Sequence, residues 1–248
     1  MTTQQKESPH TSTDAWEGLY IGGNVGEGWA SNPLPKSAPQ ATLVTVPFNG
    51  SLLWNRLPQA SSLAFTGGGQ IGYNLRTKSI LVGVETDFQY YGVHAKNSST
   101  FIPSTSTTTT LTNQISTTTP WFGTVRGKIG TNLVNKNLFF YGTGGFAYGR
   151  EHIYGTINVV DSNTPVVKFP FDRSSIATGF VAGAGAEWLL GQSWSIGAEY
   201  LCVNLGKQHN QTVRTTILGP AALETDAMKL KPSLNILNTV KITITRWF

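Results

Sequence analysis

The 248-residue chain holds a single cysteine, Cys202. One thiol excludes an internal disulfide and a cysteine-rich zinc site, and Cys202 reads as an ordinary strand residue. Charge is scarce as well. Only 12% of residues are Asp, Glu, Lys or Arg, about half the roughly 25% of soluble domains. Long apolar runs are missing: the nearest, 176–190, is mostly Gly and Ala and contains Glu187. No segment therefore supplies the about 18 apolar residues that mark a membrane-spanning helix. The net charge is +5, but the cations are scattered, with no basic run and no recognition helix, which argues against nucleic acid as a partner. Residues 1–14 are polar and lack the apolar core of a secretory signal. Because the rest of the chain reads as exported, the expectation is a signal already removed, with 1–15 as a flexible leader and 16–248 as one barrel.

What the chain has instead is glycine and aromatics, with 27 Gly, 7 Trp, 8 Tyr and 12 Phe. Few charges beside many rings imply a non-aqueous neighbour. The dominant pattern is alternation with period two, which marks a strand with two different faces. It recurs eight times. The first strand sets Leu19, Ile21 and Val25 against Tyr20, Gly22, Asn24 and Gly26, and the second sets Phe65, Ile71, Tyr73 and Leu75 against Gly68, Gln70, Gly72 and Asn74. In the third and fourth the polar face is charged: Val82, Val84 and Phe88 oppose Glu85 and Asp87, while Val125 and Ile129 oppose Arg126 and Lys128. The fifth turns Leu138, Phe140, Phe146 and Tyr148 outward. In the sixth, Phe180, Ala182 and Trp188 oppose Gly183 and Glu187; in the seventh, Ile196 and Tyr200 oppose Ser195 and Glu199; in the eighth, Val240, Ile242 and Ile244 oppose Lys241, Thr243 and Thr245.

The connections alternate long and short, a second and independent signal. The long ones are 31–60, 95–117, 155–174 and 207–236, rich in Pro, Ser, Thr and Asn; short turns lie near Arg76, Asn135 and Gly191. An up-and-down barrel gives this pattern, and in outer-membrane barrels the long loops are extracellular. The expected fold is all-β, an eight-stranded antiparallel transmembrane barrel. A soluble barrel would bury its apolar face. Here the charged face carries the glycines, which make room for long side chains in a narrow lumen, so the apolar face is expected to meet lipid. Aromatics near strand ends, namely Trp16, Trp29, Tyr73, Tyr90, Trp121, Tyr148, Trp188, Trp194 and Trp247, are expected to form girdles at the two interfaces.

WEGLYIGGNVG, GGGQIGYN followed by ILVGVETDFQY, WFGTVRGKIG, YGTGGFAYG, FVAGAGAEW, WSIGAEYL and a terminal Phe248 together resemble the outer-membrane β-barrel domain family, the small porin-like proteins typical of rhizobia, over 16–248. The resemblance implies export to the bacterial outer membrane, contact with its lipid and lipopolysaccharide, and insertion by the barrel-assembly machinery, which recognises a last strand ending in an aromatic, here Phe248. TRWF departs from the usual tyrosine-basic-Phe ending.

The interior charge network expected from the pattern comprises Glu85, Asp87, Arg126, Lys128, Glu187, Glu199 and Lys241, with Glu85 or Glu199 on Arg126 and Glu187 on Lys128 or Lys241. Gly67 to Gly72 matches a dinucleotide-binding fingerprint in letters, but that motif needs a helix behind it, and here an alternating strand follows. No catalytic grouping, metal site or cofactor is expected. His94, His152 and His209 fall where extracellular loops meet strands, and because some relatives in the broad family are described as haem-binding, they are the candidate haem ligands. Three functions stay open: a structural, porin-like envelope barrel with little or no conductance; a surface protein binding a ligand or host through its loops; and an assembly, alone or with other envelope proteins, whose subunits cover the apolar exterior.

Overall fold

The computed structural model describes residues 16–31, 40–42, 63–101, 109–132, 137–161, 164–206, 211–218, 223–230 and 236–248. They form strands β1 (Gly18–Ser31), β2 (Gln40–Thr42), β3 (Ala64–Thr77), β4 (Ile80–Phe101), β5 (Thr109–Thr131), β6 (Leu138–Asp161), β7 (Thr164–Leu189), β8 (Trp194–Asn204), β9 (Gln211–Leu218), β10 (Leu223–Leu230) and β11 (Ile236–Trp247). Eight strands close a barrel in the order β1-β11-β8-β7-β6-β5-β4-β3, and β2-β10-β9 make a separate three-stranded sheet. Every barrel pair is antiparallel, and β1 closes the ring between β3 and β11, so that Gly22 stands beside both Gln70 and Thr245.

The faces follow the alternation. Ile21, Val84, Ile129, Ile242 and Ile244 lie outside, with Val84 63% and Ile129 58% exposed, whereas Glu85, Arg126, Glu187, Glu199 and Lys241 are nearly inaccessible in the lumen. This is the arrangement of a chain that meets hydrocarbon with side chains and satisfies its backbone by closing the sheet. Short turns sit where expected. Lys78 takes a positive φ of 56° between β3 and β4, and Gly191 takes 116° between β7 and β8, where a side chain would be strained. The third turn falls on 133–136, outside the described residues. The start of β1 and the end of β11 meet at this short-turn end, where the Phe248 amide donates to the Leu19 carbonyl at 3.0 Å.

The strands differ from expectation in length. Residues 95–117 and 155–174 are not loops: β4, β5, β6 and β7 run on through most of them as a continuous sheet, with Ser98 beside Gln114, Thr112 beside Asn158 and Lys168 beside Asn158. Threonine is β-branched and favours extended backbone even where it is polar, so the Thr-rich residues 109–119, which read as loop by polarity, are strand by conformation. The two remaining long connections hold β2, β9 and β10. β9 and β10 pair from Gln211↔Leu230 to Leu218↔Leu223, apart from the barrel ladder of β8 and β11, which ends at Asn204↔Ile236. Register breaks between Tyr90 and Val93 and between Thr118 and Trp121 mark where the barrel wall becomes the projecting sheet.

Candidate functional site

The lumen is filled in three layers. At the short-turn end Trp16, Tyr20, Leu81, Phe139, Tyr141, Leu189 and Trp247 form a buried apolar plug. Trp16 and Trp247 belong here and not to an interfacial girdle: Trp247 has the parity of an inward residue, two positions after Thr245, and Trp16, in the turn before β1, meets its ring edge-on at 5.5 Å. At the long-loop end Tyr91, Phe122, Leu201, Val203, Leu205 and Leu237 close the barrel, with the Tyr91 hydroxyl donating to the Asn238 carbonyl at 3.0 Å. Phe88, Trp121 and Tyr148 do sit on the outer surface at that level, ring against ring at 5.3 and 6.2 Å, as do Trp29 and Tyr200 at 6.4 Å.

Between the plugs lies the charge network, contributed by β4, β5, β7, β8 and β11. Arg126 pairs with Glu85, with Asp87 at 3.1 Å and with Glu199 at 2.9 Å. Both carboxylates expected as its alternatives bind it, and Asp87 joins them. Lys128 takes Glu187 at 2.8 Å and Glu85 at 3.4 Å. Lys241 pairs with Asp87 at 3.0 Å and Glu199 at 2.8 Å, not with Glu187. Four carboxylates face three cations, and each carboxylate also accepts from a hydroxyl: Glu85 from Tyr20 at 2.8 Å, Asp87 from Thr124 at 2.6 Å, Glu187 from Ser195 at 3.0 Å and Glu199 from Tyr141 at 3.3 Å. These four donors meet the excess negative charge in a medium where an unmatched ion is costly. Glu85, Asp87 and Glu199 converge closely enough to suggest a metal cage, but Arg126 and Lys241 stand among them, so this cluster is an ion-pair core.

Periodicity put Tyr20 and Ser195 on the inward face but gave no sign that they serve the carboxylates as donors, nor of the role of several glycines. A Cβ at Gly72 would collide with the Tyr20 ring, and one at Gly185 would lie 2.6 Å from the Tyr141 hydroxyl. The glycines at these two sites make room for rings that reach the carboxylates, where the sequence suggested room for the charged chains themselves. Gly67 to Gly72 lies within β3 with no helix after it.

Of the three histidines, His209 lies outside the described residues. His94 and His152 share the outward face of the projecting sheet, each beside Thr118 on the intervening β5. Two strand spacings separate them by about 10 Å. His152 Nε2 lies 2.7 Å from Asp172 Oδ1, and its ring packs on Tyr154 at 5.1 Å. Phe248 follows the last residue of β11 and is 68% exposed, with the Arg246 guanidinium 5.3 Å from its ring.

The family described as outer membrane protein beta-barrel domain matches residues 6–221. The chain belongs to this family. Among curated relatives of this outer-membrane barrel, the 31 kDa outer-membrane immunogenic proteins of Brucella melitensis biotype 1 and Brucella suis biovar 1 are each 31% identical over 207 residues, 83% of this chain and 78% of theirs. Among solved structures, Ail, the attachment invasion locus protein of Yersinia pestis, aligns at 12% identity with a TM-score of 0.37, covering 93% of this chain and 98% of that one. The N-terminal barrel of Pseudomonas aeruginosa OprF aligns at 10% identity with a TM-score of 0.38, covering 92% and 98%. The protein is an outer-membrane β-barrel.

Proposed function

We propose that the protein is a closed structural barrel of the envelope, carrying no solute stream and no catalytic centre, that anchors a tall extracellular sheet in the outer membrane. The observation behind this reading is the lumen: an apolar plug at each end and an ion-pair core between them occupy the bore of an eight-stranded barrel, which is only wide enough for side chains. Planar-bilayer recording of the folded chain tests it. The expected trace has no discrete steps, and reproducible stepwise conductance in the parent protein would sink the reading.

A second reading, recognition of a ligand or host surface, is favoured by the height of one wall. β4 to β7 have 22 to 26 residues against 11 to 14 in β1, β3, β8 and β11, more than the span of hydrocarbon requires. Comparing host-cell attachment of bacteria that carry the full protein and a version trimmed across 96–116 separates the readings. Equal attachment leaves only the structural role.

A further inference from the structure

We propose that the lumen encloses one monovalent metal cation, Na+ or K+, held by uncharged side-chain oxygens on the inner face of β1, β3 and β11. The inference goes beyond the closed-barrel reading, which names no ligand. Two features of the lumen that the ion pairs leave unexplained carry it, a residual charge and a group of oxygens without partners.

The charge follows from the core. Glu85, Asp87, Glu187 and Glu199 face Arg126, Lys128 and Lys241, which leaves one negative charge between the plugs. The hydroxyl donors Tyr20, Thr124, Ser195 and Tyr141 spread that charge but bring no positive one. A net charge held away from water is costly unless a counterion meets it.

The oxygens stand on the adjoining wall. Among the described residues, Gln70 Oε1, Asn24 Oδ1, Thr243 Oγ1 and Thr245 Oγ1 are buried and find no hydrogen-bond partner, and each of these residues is at most 6% exposed. Native interiors leave few such groups unmet. Register brings the four together. Gln70 and Thr245 flank Gly22 from β3 and β11, and two residues further along β1 Asn24 stands opposite Thr243. Inward side chains directly opposite have Cβ atoms about 4.5 to 5.5 Å apart and diagonal ones about 7 to 8 Å, which puts all four around one point in the lumen. Glycine keeps that place open. A Cβ at Gly22 would lie 2.9 Å from Thr245 Oγ1 and 3.2 Å from Gln70 Cγ, and one at Gly197 would lie 2.8 Å from Thr243 Oγ1.

Donor type and charge select the occupant. A set made of oxygens, without sulfur or imidazole, suits a hard cation. The four donors are uncharged and the excess beside them is one unit, with Asp87 next to Gln70 across β3 and β4. A monovalent ion therefore neutralises the core, whereas a divalent ion would reverse its sign. Water would satisfy the oxygens and leave the charge. Lys241, two residues before Thr243 on β11, is already drawn to Asp87 and Glu199 at 3.0 and 2.8 Å. Because an apolar plug closes each end, the ion enters as the barrel folds and leaves only when it opens.

The test refolds the full chain in detergent micelles in NaCl, KCl or choline chloride at one ionic strength, with heat-modifiable migration reporting the folded barrel in each. The thermal midpoint is expected to be a few degrees higher after refolding in an alkali salt than in choline, and to keep that increment when the buffer is then changed to choline. Gln70→Met/Thr243→Val removes two of the oxygens at nearly constant volume. In this variant the increment should vanish while the choline midpoint stays at or above the parent value, since apolar groups in place of orphaned ones remove the cost of burying them. Crystals of the parent grown in RbCl should show one anomalous peak beside Gln70 and Asn24. Equal midpoints in the three salts overturn the proposal and assign the charge to a proton held among the carboxylates. An increment that follows the final buffer, survives the double substitution or comes without a rubidium peak also overturns it, as the mark of cations at the surface. None of these outcomes touches the closed-barrel reading, which falls only to conductance.

Discussion

Arg126 is the side chain on which most of the lumen depends, since three carboxylates on β4 and β8 point at its guanidinium and are otherwise held only by Lys128, Lys241 and single hydroxyls. Its planar fork can serve several acceptors at once, which an ammonium cannot. Arg126→Met keeps the volume and deletes the charge, leaving negative groups unmatched in a medium that solvates them poorly. Urea unfolding in vesicles should show a loss of about 3 to 5 kcal/mol. Combined with Glu199→Gln the losses should fall short of their sum by about 1 kcal/mol or more, because the two groups share one interaction. Additive losses would show that the ion pair is not a unit. At this scale the membership of the network was legible: period two assigns Glu85, Asp87, Arg126, Lys128, Glu187, Glu199 and Lys241 to one face without further knowledge. The pairings were not, because they depend on which strands meet across the lumen and on stagger, neither of which alternation encodes. Nor were the hydroxyl donors, since Tyr20 and Tyr141 look like any other aromatics until Gly72 and Gly185 are seen beneath them.

At the scale of elements, alternation identified eight barrel strands and their faces but misjudged where four of them end. Polarity separates strand from loop only while one face is buried. Above the membrane both faces of β4–β7 meet water, so the signal fades although the backbone stays extended. The same logic explains Trp247. Parity puts it inside, while its residue type suggests an interfacial belt, and parity wins because a strand cannot rotate one side chain to the other face; Trp16, in the turn before β1, is held inside by its packing on Trp247 and Phe139. Two consequences are testable. Replacing 96–116 by a two-residue Asn-Gly turn shortens the β4–β5 hairpin outside the hydrocarbon, and the product should still fold into vesicles with heat-modifiable migration, since the membrane wall from Ile80↔Thr131 to Tyr90↔Trp121 is untouched. Failure to fold would mean that the projection is part of the barrel's stability. The plugs are elements too. Trp16→Ala with Phe122→Ala removes a large ring from each end, and the triple variant with Tyr91→Ala should acquire conductance that the parent lacks. A variant that folds and stays silent would place the seal in the ion-pair core.

For the whole molecule, the decisive quantity is the match between the apolar belt and the bilayer. From Ile80 to Tyr90 is ten residue steps; at about 3.3 Å each and a tilt of about 40° they rise about 25 Å, the height of the apolar band of such barrels. Beyond that level the outer surface turns polar, so lipid sets how deep the barrel sits and side-chain chemistry sets what happens above. Ile129, exposed on the outer surface beside Val82 and Gly142, lies within the belt. Ile129→Arg places a cation against hydrocarbon. At the midplane this costs about 2 to 4 kcal/mol and near an interface about 0 to 1. A scan of Arg along the outward residues Val84, Ile129, Val125 and Phe88 should therefore trace a peak of destabilisation in vesicles and flatten toward Tyr90. The inward Thr124 is no neutral comparator, because the lumen is full: Thr124 is wholly buried and donates to Asp87, so Thr124→Arg should also destabilise, by overpacking and by breaking that bond. What distinguishes the two faces is the dependence on bilayer. Thinning the acyl chains should narrow the outward peak and leave the cost at Thr124 unchanged. A cost at Ile129 that is indifferent to bilayer thickness would show that protein, not lipid, covers the belt.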